Sequence, residues 1–526
     1  MQNALFRIVR SVGHPRELPA EQDRGHAHAE GPAESLVLVV VLLGVMLTAV
    51  DTTIVVLGLP VMMADLHATM VSMVWVIMAY LLTLTVLGTQ VGRLGDMFGR
   101  VRMYNLGFAI FTLGSVLCGL SQSDTQLVAL RVLQAVGGAF VSANSGAIIA
   151  DNVPAARRGR AYGLTGIGWN VGAVLGILLG GVLITFANWR LIFLINLPIG
   201  LVAFTLGYRV LRERSPRVRQ SIDGLGMLLL GGGLFLVLLA LTNMTGSGWT
   251  AAHGATLLAG VLLIGLFLIW EQRAPAPILA LSLFRQRVLT ASILASFFQA
   301  LGSYAVMFLV IMYLQGARGL SPLMASVLLV PGYIVGGFLG PWSGRIADRY
   351  GARLPASIGL FLQIGGVLLY ATLGLQTPLA VVVLAAIVNG TGNGFFFPVN
   401  NSAVMANAPR NAYGVASGLL RTLANVGMVG SFAVALLAAS AAIPRSLAFA
   451  IFLGASRLTP ALAQAFTEGM HVALLTAVVP LALAVGLSIL RGRERRGEGA
   501  PGHGETPGED RVIVPAAGSP TGASGG

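Results

Sequence analysis

Two charged residues lie inside long apolar stretches of the sequence, where a charge is costly. Asp51 belongs to the apolar run 36–57 and Arg131 to the run 127–150. A charged side chain in hydrocarbon faces a cavity or a partner. At a rise of 1.5 Å per residue, Asp51 lies about 9 Å before the end of its run and Arg131 about 6 Å after the start of its run. In helices of opposite direction the two residues can therefore meet at one depth. Burial favours the protonated form of a carboxylate. The two residues therefore predict either a structural ion pair or a site that exchanges a proton.

The apolar runs that hold these residues recur along the whole chain. Of its 526 residues, 56% are hydrophobic and only 10% are charged. A helix needs about 20 apolar residues to cross a bilayer, and about fourteen runs reach that length. The sequence therefore predicts an all-α integral membrane protein with about fourteen transmembrane helices.

The positions of the basic residues predict the orientation of the chain. All 33 are arginine, and the net charge is +13. If the N-terminus is cytosolic, 27 arginines lie in cytosolic segments, 4 lie outside, and Arg131 and Arg421 lie within runs. This bias follows the positive-inside rule and gives no reason to expect nucleic-acid binding. We expect both termini to be cytosolic, with polar disordered tails at residues 1–34 and 491–526 and no cleaved signal peptide.

A repeated motif divides the chain into two halves. The stretch GRLGDMFGR at 92–100 returns as GRIADRYGAR at 344–353, which starts 252 residues later. A second pair, around Tyr162 and Tyr413, is separated by 251 residues. Such internal symmetry is typical of secondary transporters. It predicts an N-terminal six-helix bundle at 35–211, an inserted two-helix hairpin at 222–271 and a C-terminal six-helix bundle at 288–490.

Several motifs together resemble the major facilitator superfamily, and within it the fourteen-span drug:proton antiporter family. They are the repeated loop, DTTIVVLGLP around Asp51, RVLQAVGGAF after Arg131, NWRLIFLINLPIG at 188–200 and YLQGARGLSPL at 313–323. The resemblance implies a major facilitator fold in a bacterial cell (inner) membrane. It also implies a monomer that works by alternating access and exports lipophilic or cationic compounds against inward proton flow, with no cofactor. In this family the position of Asp51 serves proton coupling, and we expect Arg131 to be its partner.

The first loop motif is predicted to act as a latch between the halves. Gly92, Gly95 and Gly99 predict a tight turn. That turn would present Asp96 and Arg100 as fixed charges. The resemblance implies that Asp96 latches the halves, since the amide end of a helix that begins near Asn411 would attract it, and Arg100 can pair with Asp151. The second copy offers Asp348 and Arg349 but has Ala352 in place of the second arginine, and either a weaker latch or an inherited turn explains it.

The fifth run contains a ladder of glycines. Gly168, Gly172, Gly176 and Gly180 share one helix face, which predicts close packing against another helix. The ladder resembles the antiporter motif of the family, except that Ile177 stands where the family has a proline. This departure bears on antiport more than on transport.

Candidate substrate contacts come from the second half. By the repeat, the ninth and twelfth helices should line the cavity, where aromatic and amide side chains suit a lipophilic guest with a few polar atoms. Arg421, near mid-membrane, either binds an anionic substrate group or neutralises amide and carbonyl dipoles. The other candidate cavity residues are Phe297, Phe298, Gln299, Tyr304, Asn389 and Asn393.

Other functional classes have little support in the sequence. A dedicated transporter of one metabolite or antibiotic, with Arg421 as an anion clamp, remains an alternative. No histidine lies deep in an apolar run, so a membrane-embedded hydrolase is not expected. Cys118 is the single cysteine, so we expect no internal disulfide and no metal site. The chain has no lysine and therefore no Walker motif, which excludes ATP-driven pumping on that motif. The segment 439–469 is too short in its apolar part to span a membrane.

Overall fold

The computed structural model describes residues 32–491, apart from 155–157, 215–220, 248, 276, 280, 409–412 and 444–458. In that part of the chain fourteen helices are long and apolar enough to cross a membrane, and no strand occurs. The predicted fold class is therefore confirmed. Most of the two predicted tails and the central part of segment 439–469 lie outside the described residues.

The fourteen long helices of the described residues follow one another along the chain. In chain order they are α1 Pro32–Asp65, α2 Met70–Phe98, α3 Arg100–Gly119, α4 Asp124–Asn152, α5 Arg158–Phe186, α6 Leu191–Val210, α7 Gly224–Ser247, α8 Ala251–Glu271, α9 Arg287–Met312, α10 Pro322–Tyr350, α11 Arg353–Tyr370, α12 Leu379–Asn407, α13 Tyr413–Ala441 and α14 Pro460–Leu490. A short π-helix, Tyr313–Ala317, extends α9.

The predicted tails were placed slightly too far into the chain at both ends. Helix α1 already begins at Pro32, since proline is favoured in the first turn of a helix, and Glu34 lies in that turn. At the other end, Arg491 is fully buried. Its guanidinium donates to Ser488 Oγ at 2.8 Å and to Asn400 Oδ1 at 3.3 Å. Arg491 thus belongs to the second bundle.

Hydroxyl caps begin several helices at the end of the bundle opposite to Asp96. Thr69 and Ser123 accept hydrogen bonds from the backbone amides of Ser72 and Gln126 at the starts of α2 and α4. Such caps satisfy amides that have no partner within the helix. The capped helix α4 carries Arg131 seven residues after its first residue, Asp124.

The two six-helix groups pack mainly within themselves. In the first, α1 packs on α5, and α4 packs on α2 and α3; in the second, α12 packs on α10 and α11, and α9 packs on α13 and α14. The hairpin helices α7 and α8 pack on each other, and α7 also contacts α2 and α13. At the end opposite to Asp96, Gln315 Nε2 donates to the Leu57 carbonyl at 3.0 Å, which joins the two groups.

The glycine ladder lies on the face of α5 that packs against α1. A Cβ atom on Gly172 would lie 2.9 Å from the Ala49 Cβ, and one on Gly180 would lie 2.8 Å from Ile54 Cγ1. Between them, Thr53 Oγ1 donates to the Ala173 carbonyl at 3.2 Å. The close approach fixes the part of α1 that carries Asp51.

Candidate functional site

Asp51 and Arg131 form the ion pair that the depth argument predicts. Arg131 NH1 lies 2.7 Å from Asp51 Oδ2, and both residues are at most 1% exposed. Asp51 lies in the middle of α1 and Arg131 in the second turn of α4. The pair therefore joins two helices of the first bundle in a place that water does not reach.

Gln134 forms hydrogen bonds with both members of the ion pair. Its amide Nε2 donates to Asp51 Oδ1 at 2.8 Å, and its Oε1 accepts from Arg131 NH1 at 2.7 Å. Gln134 is three residues after Arg131 and so lies on the same face of α4. Gln134 was not among the residues predicted from the sequence, although an amide one turn from a charge within an apolar run is a usable signal. Each carboxylate oxygen of Asp51 thus has a donor.

Helix α2 contacts the same guanidinium. Arg131 Nε donates to the Val76 carbonyl at 3.2 Å, and the Arg131 Cζ lies 4.1 Å from the centre of the Tyr80 ring. A cation above an aromatic face is attracted by the ring. A change in the charge of Asp51 would therefore be felt by α2 as well as by α1 and α4.

Helix α6 adds an amide to the site. Asn196 is fully buried, and its Nδ2 lies 3.5 Å from Asp51 Oδ1 and 3.0 Å from Ser115 Oγ. Within the described chain, Asn196 Oδ1 and the Tyr80 hydroxyl have no hydrogen-bond partner. These polar atoms can accept new partners when the ion pair rearranges. Neither Asn196 nor Tyr80 was among the residues predicted from the sequence.

The chemistry open to this site is an exchange of positive charge. Arg131 stays protonated, so it stays paired with Asp51 until another positive charge competes for the carboxylate. Removing one partner of a buried ion pair costs about 3–5 kcal/mol. A pair of this kind can open only when something else compensates both of its charges.

A second ion cluster lies where α2 meets α3. Arg100 Nε donates to Asp96 Oδ1 at 2.8 Å, and its NH1 donates to Asp151 Oδ1 at 2.7 Å. The predicted contact between Arg100 and Asp151 is thus present. The three side chains are 15–27% exposed, so solvent screens the cluster.

The predicted turn at this cluster is wrong in its extent. Helix α2 continues through Gly92 and Gly95 to Phe98, and only Gly99, with φ of 111°, makes the turn. Gly95 instead permits close packing, since a Cβ there would collide with the side chain of Asn144. A glycine in such a motif can therefore permit helix packing as well as a turn, and the sequence alone does not distinguish the two roles.

The rest of the predicted latch is only partly visible. The start of α13 near Asn411, expected to face Asp96, and the side chain of Asp348 lie outside the described residues. Arg349 is exposed, and its Cζ lies 5.3 Å from the centre of the Tyr350 ring. Among the described groups, no acidic partner of Arg349 is recorded, whereas Arg100 has two.

The predicted substrate residues differ in their exposure. Phe297, Phe298, Tyr304 and Asn389 are half-buried, and Asn393 is exposed. Gln299 is buried, and its Nε2 donates to Gln363 Oε1 at 2.9 Å, so it ties α9 to α11.

Arg421 lies between the two bundles. It is exposed, and its NH1 is 3.5 Å from the carbonyl oxygen of Ser142 on α4. It begins the third turn of α13, about 12 Å from the start of that helix. A guanidinium in this position can meet a substrate that enters between the halves.

Comparison with known proteins settles the family. A family model described as the Major Facilitator Superfamily matches residues 41–432. The chain belongs to the major facilitator superfamily. It is a multi-pass membrane transporter of that type, and its fourteen helices are two more than the twelve of the paired bundles.

Two relatives and one solved structure illustrate the similarity. The chain is 32% identical to the riboflavin transporter RibZ of Clostridioides difficile over 395 residues, 74% of this chain and 85% of that protein. It is 31% identical to the tetracenomycin C resistance and export protein of Streptomyces glaucescens over 427 residues, 79% and 78% of the two chains. A bacterial homologue of the human lysosomal transporter Spinster, in an inward-facing and unoccupied conformation, has a TM-score of 0.65 at 19% identity, with 88% and 98% coverage. This last likeness concerns the fold alone.

Proposed function

We propose that this transporter exports lipophilic or cationic compounds in exchange for protons, and that Asp51 is the group that carries the proton. The observation that supports the proposal best is the fully buried pair of Asp51 and Arg131, in which a carboxylate that can be neutralised faces a cation that cannot. The relative described as a tetracenomycin C resistance and export protein supports export of a drug-like compound.

The geometry suggests how one proton changes the conformation. In the paired form, Asp51 holds Arg131 and Gln134 on α4. When Asp51 accepts a proton, the attraction that holds the pair is lost, and Arg131 relies more on Val76 and Tyr80 of α2. Since α2 also contacts α13 of the second bundle, the two bundles can then rock against each other. When a guest has bound and the proton leaves Asp51, the pair with Arg131 forms again and the first state returns.

A second candidate is a dedicated transporter of one metabolite or antibiotic, in which Arg421 would bind a negative group of the substrate. The relative described as a riboflavin transporter and the position of Arg421 between the bundles favour it. In this case transport saturates with one substrate and is inhibited by anions, and Arg421→Gln raises the KM for that substrate more than it lowers the maximal rate.

The two functions are separated by proton movement in inverted vesicles. A panel of lipophilic cations is added to vesicles with a preset pH gradient that carry the parent, Asp51→Asn or the control Asp124→Asn. Asp124 is a carboxylate in the first turn of α4 whose recorded hydrogen bonds are to its neighbour Thr125. We expect cations to dissipate the gradient with the parent and the control but not with Asp51→Asn. If a folded parent gives no response to any cation, drug:proton antiport is contradicted and the dedicated transporter becomes the leading function.

A further inference from the structure

The root of the inserted hairpin contains two buried carboxylates that the exchange at Asp51 does not use. Asp223 immediately precedes α7, and Glu271 is the last residue of α8. They are only 6% and 3% exposed. Both lie against the end of α2 that carries Gln90 and Arg93. Arg93 is about one turn before Asp96 on that helix.

Hydrogen bonds tie this root to α2 and to the chain that leads into the second bundle. Gln90 Oε1 accepts from the Asp223 amide and from Arg93 NH1, both at 3.2 Å. Arg93 NH2 donates to the Pro277 carbonyl at 2.7 Å, and Glu271 Oε1 accepts from the Leu279 amide. The root therefore connects the first bundle, the hairpin and the linker before α9.

Among the described residues, the buried charges of this root do not balance. In that part of the chain, Asp223 and Arg93 are the charged groups that act on Glu271, and Asp223 and Glu271 are those that act on Arg93. Two described carboxylates thus share one described guanidinium, and both carboxylates are buried. Within the described chain, Glu271 Oε2, Asp223 Oδ2 and the buried Gln90 Nε2 have no hydrogen-bond partner. The cluster can accommodate one more positive charge.

The helix ends decide which carboxylate takes that charge. Asp223 stands before the first residue of α7, and its Oδ1 accepts from the Gly226 amide and from Trp270 Nε1, both at 2.8 Å. A helix N-terminus stabilises an anion, and so do two donors. Glu271 is at a helix C-terminus, where the dipole opposes an anion. Asp223 thus has two donors on one oxygen and a helix N-terminus beside it, whereas Glu271 has the Leu279 amide and a helix C-terminus, so Glu271 is the better place for the added positive charge.

We propose that Glu271 binds a proton at the root of the hairpin, which gives the transporter a second proton site besides Asp51. The proposal rests on the proposed function only in assigning this proton to the exchange cycle. Arg93 lies one turn before Asp96 on α2. A movement of α2 that opens the Arg100 cluster would therefore also draw Arg93 away from Glu271. Loss of the proton from Glu271 would oppose that movement, since Arg93 would then hold an ionised partner.

Infrared spectroscopy of the purified full chain at neutral pH tests the proposal. A protonated carboxyl group absorbs separately from a carboxylate. The parent should therefore show a carboxylic acid band that is lost when the sample is titrated to high pH. The band should be missing in Glu271→Gln, which has nearly the shape of protonated glutamate. It should also be missing in Asp223→Asn, which removes the like charge and lets Glu271 ionise beside Arg93. The exposed carboxylate variant Glu468→Gln should leave the band unchanged.

An unchanged band in Glu271→Gln would overturn the proposal. So would a band that disappears when sodium replaces an organic cation at constant ionic strength, because the site would then take a metal ion instead of a proton. Failure of the proposed function has a different signature. In that case Asp51→Asn leaves cation-driven proton movement in vesicles unaltered, whatever the band of Glu271 shows.

Discussion

The two bundles place different chemistry at related positions. Ser303 lies 252 residues after Asp51, the same spacing that separates the two loop motifs. Where the first bundle has an ion pair, the second has a neutral network in which Gln363 Oε1 accepts from Ser303 Oγ at 2.8 Å and from Gln299 Nε2 at 2.9 Å. In the proposed mechanism a proton changes the Asp51 pair, whereas neutral hydrogen bonds do not change with a proton. One bundle would thus respond to a proton while the other stays fixed.

The loop motifs differ in the same way. Gly99 and Gly351, also 252 residues apart, both have positive φ, of 111° and 85°, so each bundle retains the turn. The arginine that follows the turn is not retained. Arg100 joins two carboxylates, while Ala352 in the second bundle is buried at 5% exposure. The backbone of the repeat is conserved between the halves where the ion cluster is not.

The largest effect should come from breaking the ion pair at Asp51. Asp51→Asn leaves the Arg131 cation buried without a charged partner, which costs about 3–5 kcal/mol of unfolding free energy. Arg131→Gln should cost less, because Asp51 can take up a proton and become neutral, whereas Arg131 cannot lose one. Thermal unfolding in detergent measures this asymmetry. Equal losses of stability in the two variants would contradict the view that Asp51 accepts a proton.

A smaller effect is expected in the neutral network. Gln363→Leu leaves Gln299 and Ser303 without their shared acceptor, and an unsatisfied buried polar group costs about 1–3 kcal/mol. Proton movement per transported molecule should be unchanged, since this bundle carries none of the coupling. The check is the same vesicle assay, normalised to the amount of folded transporter. A changed proton yield would show that the second bundle also takes part in coupling.

The smallest effect on stability is expected at the loops. Arg100→Gln removes two partly exposed ion pairs, each contributing about 0.2–1 kcal/mol. The protein should therefore stay folded. The transport rate should nevertheless fall, because the cluster joins α3 to the ends of α2 and α4. Arg349→Gln is the matched control in the second bundle and should change the rate less. Equal rate losses in both variants would mean that the ion cluster around Arg100 has no special role.

Much of the fold followed from hydrophobic runs and from the repeat, since a bilayer leaves few alternatives to helices. The pair of Asp51 and Arg131 was predictable because two rare charges lay at one depth. Asn196 was not predicted, because an amide carries no charge that marks it as unusual, and Gln134 was not predicted although it lies one turn from Arg131. Nothing in the sequence shows that the hairpin folds its root, with Glu271, against α2. Gly95 was assigned to a turn because glycine serves both turns and close packing.

The central claim is that Asp51 couples transport to protons without being needed for substrate movement itself. The most direct measurement compares two activities of Asp51→Asn in proteoliposomes, using a substrate identified from the cation panel. One activity is the exchange of labelled for unlabelled substrate, and the other is accumulation driven by a pH gradient. We predict that Asp51→Asn retains exchange and loses accumulation, while Gln363→Leu retains both in proportion. Accumulation of substrate by folded Asp51→Asn would contradict the account.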